Sequence, residues 1–282
     1  KKNYSKSLQS VDTITDKKYR GKGLFPKLAK KLYADSANNG YELVYGFPNE
    51  NSAPGFFSKL GWTSFGEVPF LVKPLSLRFI LKKVLKLAPK ENQLPEIHQY
   101  NIPQTIDIDS VSKMKVLDTF STDYDALWQE LSQDIDICVN RSAAYMNWRY
   151  IQKPGPGYSI FGYFVNDQLK GLVIFTITNK HGGRIGYLME LIFDKKHPEI
   201  GKTLLKKVTR IFKQEKVDAV LAWSLPHSFN YKCFLKTGYY NLPLKLRPQH
   251  LFFGVRPLND TNAEPIRDLN NWYISYSDSD TV

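Results

Sequence analysis

Cysteine and long apolar runs are scarce in this chain, and each shortage excludes a class of protein. Two cysteines, Cys138 and Cys233, occur in 282 residues. They lack the close spacing of metal-binding motifs, and a disulfide between them is not indicated. No apolar run approaches the ~20 residues that cross a bilayer, and no signal-peptide pattern is visible. We therefore expect a cytoplasmic protein with no metal site and no membrane span.

Acidic residues are also in short supply relative to basic ones. The chain has 27 Asp and Glu against 39 Lys and Arg, which gives a net charge of +12. This charge suits a polyanionic ligand, a nucleic acid or an anionic membrane surface. The lysines are spread along the chain, so a generally basic surface explains the charge equally well. A hydrophobic content of 42% supports a real core, and the length predicts two domains.

One early stretch, residues 11–32, carries the strongest functional pattern. Val11–Thr15 alternates apolar and polar residues, which predicts a strand. The leucines spaced four apart in Leu24–Leu32 predict a helix with one apolar face. Arg20–Gly23, between them, reads Arg-Gly-Lys-Gly. A glycine-bearing turn at a helix N-terminus predicts an anion cradle, because glycines permit positive φ and unpaired N–H groups face the ligand. An ordinary exposed turn is the alternative.

The residues after this helix extend the pattern into a family resemblance. Tyr41–Phe47 predicts a second strand, Asn49–Phe57 a turn into a short helix, and the segment then ends in Lys-Leu-Gly-Trp. The whole resembles the acyl-CoA-binding half of the GNAT superfamily of N-acetyltransferases. Lys18–Gly23 matches that family's loop, Gln/Arg-x-x-Gly-x-Gly/Ala, with lysine in the first position. Phe57–Trp62 resembles Tyr-Glu-Lys-Leu-Gly-Phe, with phenylalanine where a tyrosine often protonates the leaving thiolate.

The resemblance implies acetyl-CoA or another acyl-CoA as co-substrate, with no metal. It places the thioester and pantetheine against the first strand, the pyrophosphate on the glycine loop and the cofactor's arm near the turn after the second strand. The implied cofactor-binding residues are Thr13, Ile14, Thr15, Lys18, Arg20, Gly21, Lys22, Gly23, Asn51 and Ser52. The family also has three strands and one or two helices before this point. We therefore expect the first sheet, in this sequence, to lack its N-terminal strands.

Three residues are candidates for the general base that takes a proton from an amine. Asp12 lies on the predicted strand and faces the same side as Ile14. Glu50 follows the second strand, and His227 follows the corresponding strand of the second domain. Solvated or capping carboxylates are the alternative for the two acids, and a position beside the next helix N-terminus is the alternative for His227.

The second half of the chain repeats the plan. From near Ile106 it predicts strands at 158–165, 169–178 and 184–193, a helix at 198–214, a strand at 219–223 and a helix at 228–236. Its loop, Asp194–Gly201, has no glycine pair and carries Glu199, so this copy is predicted to be GNAT-like in fold without the acyl-CoA loop. The predicted fold is α/β (α+β) with two tandem GNAT-like domains and mixed central sheets. Residues 1–87 form the C-terminal part of an acyl-CoA-binding domain, 88–105 a linker and 106–282 the second, degenerate domain with its tail.

Two further segments have open interpretations. Residues 75–87 alternate apolar and basic residues at helical spacing, which fits an anionic membrane surface or packing across the two domains; we favour packing. In the tail, Trp272 and Tyr273 are predicted to pack onto the body. A functional interpretation has Asp278 and Asp280 face an amine or sugar acceptor, and the role of these two aspartates stays open.

The leading hypothesis is an acyl-CoA-dependent N-acyltransferase, an acetyltransferase acting on a small-molecule amine. The tail resembles the endings of acetyltransferases in surface-polysaccharide pathways, which suggests an amino sugar as acceptor. One alternative is an aminoacyltransferase of the Fem type, which uses charged tRNA. Another is a catalytically silent CoA-binding module. The glycine loop favours CoA, so no nucleic-acid partner is expected.

Overall fold

The computed structural model describes residues 4–85, 102–154, 157–247 and 249–279. Its strands are Lys6–Ser10 (β1), Tyr41–Gly46 (β2), Thr63–Glu67 (β3), Phe70–Pro74 (β4), Thr105–Asp107 (β5), Ser112–Val116 (β6), Ser159–Val165 (β7), Gln168–Lys180 (β8), Gly183–Phe193 (β9), Ala219–Trp223 (β10), Tyr240–Asn241 (β11) and Phe252–Pro257 (β12). Its α-helices are Leu24–Asn38 (α1), Leu77–Val84 (α2), Thr122–Ser132 (α3), Ala143–Met146 (α4), Pro198–Gln214 (α5), Tyr231–Lys236 (α6) and Ala263–Ile266 (α7). Two π-helical turns cover Gly55–Lys59 and Asn147–Ile151.

The described residues fall into two compact units, and each has its own sheet. The first unit comprises the described parts of 1–68 and 244–272, and the second comprises those of 69–243 and 273–282. The first sheet has the strand order β1-β2-β12-β3, with β1 and β2 parallel and β12 antiparallel to both neighbours. The second has the order β11-β4-β10-β9-β8-β7-β6-β5, with β10 and β9 parallel. Both sheets are mixed, as predicted.

Strands β4 and β12 lie in a different unit from the strand that precedes each of them in sequence. β4 follows β3 after two residues, yet it pairs with β10 and β11 in the second unit. β12 follows β11 but lies between β2 and β3 in the first unit. β3 and β4, although only two residues apart in sequence, therefore belong to two different sheets. The predicted domains divide the chain in sequence order and stay a prediction, and most of the predicted linker lies outside the described residues.

The prediction of a strand at Val11–Thr15 is wrong. The strand that precedes the glycine loop is β1, and it pairs with β2 only as far as Ser10, which lies opposite Gly46. Pro48 follows shortly on the partner side and has no N–H to extend the ladder, and Asp12 takes a positive φ of 46°. Within the described part of this unit β2 is the only neighbour of β1, so residues 11–16 have no strand to pair with.

Helix α1 packs through a face other than the predicted leucine stripe. Phe25, Ala29 and Tyr33 pack into the core cluster of the first unit, whereas Leu28 and Leu32 are 65% and 55% exposed. Both sets are spaced four apart, so both define a helical face. The rings bury more area than the leucines would, which favours the observed face.

The core of the second unit lies between its sheet and α5. This helix begins with Pro198 in its first turn and buries Leu204, Val208 and Phe212, so the helix predicted at 198–214 is confirmed. Cys138 and Cys233 are both free thiols. No helix in the described ranges is long and apolar enough to cross a membrane.

Candidate functional site

The Arg-Gly-Lys-Gly loop is exposed and leads directly into α1. Gly21 and Gly23 have φ values of +77° and +69°, and a Cβ built on either would meet no atom within 4 Å. Gly23 occupies the N-cap position, and the first turn of α1 holds no acidic residue. The first N–H groups of an α-helix have no partner within the helix, and the dipole makes this end positive. The loop is therefore open to an anion.

Three local contacts fix the shape of this loop. The Asp16 carboxylate accepts a hydrogen bond from the Lys18 N–H at 2.8 Å and so caps the 3-10 turn that precedes the glycines. The Arg20 Nε donates to the Thr15 carbonyl at 3.0 Å. The Lys22 ammonium lies 5.0 Å from the centre of the Tyr19 ring. The Arg20 and Lys22 side chains are thus held by neighbours in sequence.

Asn49 organises the turn that follows β2. Its Oδ1 accepts hydrogen bonds from the N–H groups of Asn51 and Ser52 at 3.1 Å each, and from the Ser52 hydroxyl at 3.2 Å. The predicted contact residue Ser52 is half-buried and takes part in this turn, whereas Asn51 is exposed. Sequence reasoning missed the role of Asn49, although asparagine commonly closes such turns with its own side chain.

A contact between an aromatic ring and a glycine holds the loop-bearing end of α1 beside this turn. Phe25, the second residue of α1, covers Gly55 so closely that a Cβ there would lie 2.8 Å from its Cε1 atom. The Phe25 and Phe56 rings meet edge to face, with centroids 5.1 Å apart. The two segments predicted to hold the cofactor are therefore neighbours in the first unit.

Substitution of Gly55 by valine is expected to destabilise this junction. The added side chain overlaps the Phe25 ring, and overpacking of this kind costs about 1–3 kcal/mol. Urea unfolding should show a lower midpoint for Gly55→Val than for the unsubstituted chain. Phe25→Leu/Gly55→Val should recover part of the loss relative to the sum of the single substitutions, because the overlapping ring is gone. Strictly additive losses would show that the two residues do not contact each other.

Phe57 packs into an apolar environment. A Cβ built on Gly254 of β12 would lie 2.6 Å from the Phe57 Cε1 atom, and the Phe57 and Phe252 rings meet at 6.2 Å. Phenylalanine has no hydroxyl to give a proton to a thiolate. The structure thus assigns this position a packing role.

The candidate bases lie on exposed turns. Asp12 and Glu50 are both exposed in the first unit. His227 is exposed in the second unit, in the turn between β10 and α6. Asp12 lies on the non-strand segment rather than on a strand, so the expectation that it shares a strand face with Ile14 is wrong. Ile14 itself is 85% exposed.

The corresponding loop of the second unit, at the start of α5, packs against the core of that unit. A Cβ on Gly201 would lie 2.5 Å from the Phe193 Cε1 atom, so this glycine serves a close core contact. Glu199 lies in the first turn of α5, 3.0 Å from the His197 Nδ1 atom. A carboxylate at this helix end repels a phosphate, as the sequence predicted.

Comparisons with solved structures bear on the fold. The chain matches a GCN5-related N-acetyltransferase from Anabaena variabilis with a TM-score of 0.53 and 13% identity, over 86% of this chain and 52% of that one. It matches a tandem GNAT protein from the clavulanic acid biosynthesis pathway with a TM-score of 0.53 and 10% identity, over 91% and 77%. The chain has the tandem GNAT fold. The predicted fold class is confirmed.

A third match is a conserved protein of unknown function from Enterococcus faecalis, described as a probable N-acyltransferase, with a TM-score of 0.51 and 12% identity, over 86% of this chain and 52% of that one. The chain thus spans about half the length of two of these structures. No protein-family model matches the sequence, and no curated protein sequence matches it significantly.

The second GNAT-like unit contains a buried ionic cluster that the sequence did not reveal. Arg141 is fully buried, and its guanidinium contacts Glu190 and Asp278 at 2.6 Å each. Its Nη2 also donates to the Ser275 hydroxyl at 3.1 Å, and the Tyr273 hydroxyl donates to Glu190. The partners lie 49 to 137 positions away in sequence, so no local pattern flags them.

Asp278, the tail aspartate within the described residues, belongs to this cluster. Burial raises the pKa of Asp278 while Arg141 acts to lower it, and the carboxylate also accepts from the Ser275 N–H at 2.8 Å. Asp278 is therefore a buried structural partner, and the idea that it faces an acceptor is wrong. Asp280 lies outside the described residues. Trp272 and Tyr273 are buried, as predicted.

Proposed function

We propose that this chain is an acyl-CoA-dependent N-acyltransferase, an acetyltransferase that acts on a small-molecule amine. The observation that carries the proposal is the exposed Arg-Gly-Lys-Gly loop at the start of α1, next to the Asn49 turn. The GNAT fold of the chain supports it, since the matched structures include N-acetyltransferases.

The loop fits a pyrophosphate in shape and charge. Gly21 and Gly23 leave open space where side chains would stand, so phosphate oxygens can approach the backbone N–H groups. Lys18, Arg20 and Lys22 add positive charge to the same loop. Asn51, exposed beside the Phe25–Gly55 junction, is the proposed contact for the cofactor's arm, while Ser52 shapes the turn.

Transfer requires that an amine nitrogen attack the thioester carbonyl. A C–N bond forms, the C–S bond breaks, the amine loses a proton and the thiolate gains one. Thr13, Ile14 and Thr15 belong to no sheet ladder, and we propose that their backbone N–H groups align the acyl arm and polarise its carbonyl. Asp12, Glu50 and His227 remain the candidate bases. The proton for the thiolate comes from a group other than Phe57.

The proposed acceptor is an amino sugar, which rests on the resemblance of the tail to surface-polysaccharide acetyltransferases. One observation favours a second candidate, a silent CoA-binding module: Phe57 packs against Gly254 and offers no acid. Both candidates bind CoA, and only the first shows turnover. An aminoacyltransferase that uses charged tRNA is less well supported, because the glycine loop fits a compact pyrophosphate.

Gly21→Glu is expected to weaken acetyl-CoA binding at least 100-fold in calorimetry. The substitution puts bulk and negative charge where the pyrophosphate would bind, and it strains a residue at φ +77°. Gly40→Glu is the matched control, since Gly40 has the same φ, is also exposed and lies at the other end of α1. The control should bind normally.

Three results of this experiment have distinct meanings. Failure of the unsubstituted chain to bind acetyl-CoA would overturn the proposed function. Normal binding by Gly21→Glu would show that the cofactor lies elsewhere. Binding without release of CoA thiol, across a panel of amino sugars, would favour the silent module.

A further inference from the structure

Helix α2 presents a row of leucines to solvent. Leu77, Leu81 and Leu85, which follow each other at intervals of four along the helix and its last turn, are 80%, 60% and 63% exposed. The packing interpretation of this segment is therefore wrong for these three residues. Isolated exposed leucines are common, but a row on one helix face marks an interaction surface.

The opposite face of α2 is firmly attached to the second unit. The N–H groups of Leu75 and Ser76 donate to the Asp218 carbonyl at 2.9 and 3.0 Å, which fixes the start of the helix. Phe79 packs directly against Gly183 of β9, where a Cβ would collide with its ring. Leu75 packs against the unit's core. At 100° per residue, Phe79 points away from the leucine row, so the leucines are held outward by the fold.

The sequence of the helix supplies charge of one sign. Arg78, which is exposed, and Lys82 and Lys83 lie within α2, and the helix contains no acidic residue. Exposed leucines on a helix that also carries cationic residues and no acidic ones are the combination that inserts into the headgroup region of an anionic membrane. A protein partner would need an acidic, apolar surface, which is a more specialised requirement.

We propose that α2 attaches this chain to an anionic membrane surface, with the leucine row inserted among the lipids. The helix lies in the plane of the interface and does not cross it, because eight residues span only about 12 Å. Arg78, which is exposed, contacts the headgroups, while Phe79 and Leu75 keep the helix fixed to the second unit. The proposal is independent of the acyltransferase assignment, since it uses no residue of the glycine loop.

Vesicle co-sedimentation of the full chain tests this attachment. Vesicles of phosphatidylglycerol and phosphatidylcholine in equal amounts should bind the protein, and vesicles of phosphatidylcholine alone should bind it at least tenfold more weakly. Binding should also fall as salt is raised, because screening weakens the charge attraction. Leu77→Ser/Leu81→Ser should lower the partition coefficient on the anionic vesicles at least tenfold.

Leu244→Ser/Leu246→Ser is the matched control, because these leucines are 52% and 65% exposed and lie outside α2. It should bind the vesicles as the unsubstituted chain does. An equal loss in both variants would overturn the proposal, as would unchanged binding of the α2 variant. Leu28→Ser/Leu32→Ser extends the test to α1, which also exposes leucines among lysines. Loss of binding in this variant alone would place the attachment on α1.

Discussion

Arg141→Ala is expected to lower the free energy of unfolding by about 3–5 kcal/mol, a large share of the total for an ordinary domain. Arg141 lies between Glu190 and Asp278 at 2.6 Å from each, and all three side chains are buried. Burial acts to lower the pKa of Arg141, yet the two carboxylates raise it well above its ordinary value, so the charge persists inside the unit. Alanine would leave both carboxylates without their cation.

Urea unfolding followed by far-UV circular dichroism measures this loss. Lys196→Ala is the control, since its ion pair with Glu130 is on the surface of the same unit and should leave the midpoint unchanged. Arg141→Met/Glu190→Leu/Asp278→Leu should be more stable than Arg141→Ala, because apolar residues then replace the whole cluster. A midpoint for Arg141→Ala equal to that of the unsubstituted chain would contradict the assigned role of the cluster.

Residues 1–87 expressed alone are expected to show no cooperative unfolding. This segment lacks β12, which separates β2 from β3 in the first sheet and contributes the buried side chains of Phe253 and Val255. Without β12, β2 and β3 have no ladder between them and the cluster around Trp62 is uncovered. The expected result is a nearly flat circular dichroism signal across a urea titration.

Joining residues 1–68 to 244–272 through a flexible linker of about ten residues should restore a cooperative transition. The two ends are close, since the Val68 carbonyl accepts from the Arg247 Nη1 atom at 2.8 Å and the Val68 N–H donates to the Leu251 carbonyl at 2.9 Å. Val255→Asp in the joined protein is the control and should abolish the transition, because it buries a charge. Cooperative unfolding of residues 1–87 alone would contradict this account of the sheet.

The sequence predicted those features whose signals are local. The helix at Pro198–Gln214 has proline in its first turn and a clear apolar period, and the glycine loop is recognisable over a few residues. The face of α1 was predicted wrongly because two sets of residues share the same spacing and only packing distinguishes them. Residues 11–15 alternate apolar and polar side chains as a strand does, but the described part of the first unit offers them no strand to pair with. Pairing depends on partners that local pattern does not specify.

The features that escaped prediction depend on contacts between distant parts of the chain. Arg141 sits before an ordinary helix N-cap, and its partners come from β9 and the tail. Strand pairing places β4 and β12 in opposite units. The order of helices and strands along the sequence does not specify which strands pair. At the candidate site, the loop was found from sequence, but its support from Phe25, Gly55 and Asn49 was not.

The place of β12 between β2 and β3 has a consequence for biosynthesis. On the ribosome, β3 emerges long before its partner, since Glu67 pairs with Phe252 about 185 residues later. At roughly 5–20 residues per second, the nascent chain waits about 10–40 s with two strand edges uncovered. Exposed edges of this kind attract other unpaired strands. During that interval we expect chaperones to bind the nascent chain. Slower translation would lengthen the time in which the unpaired strands can aggregate.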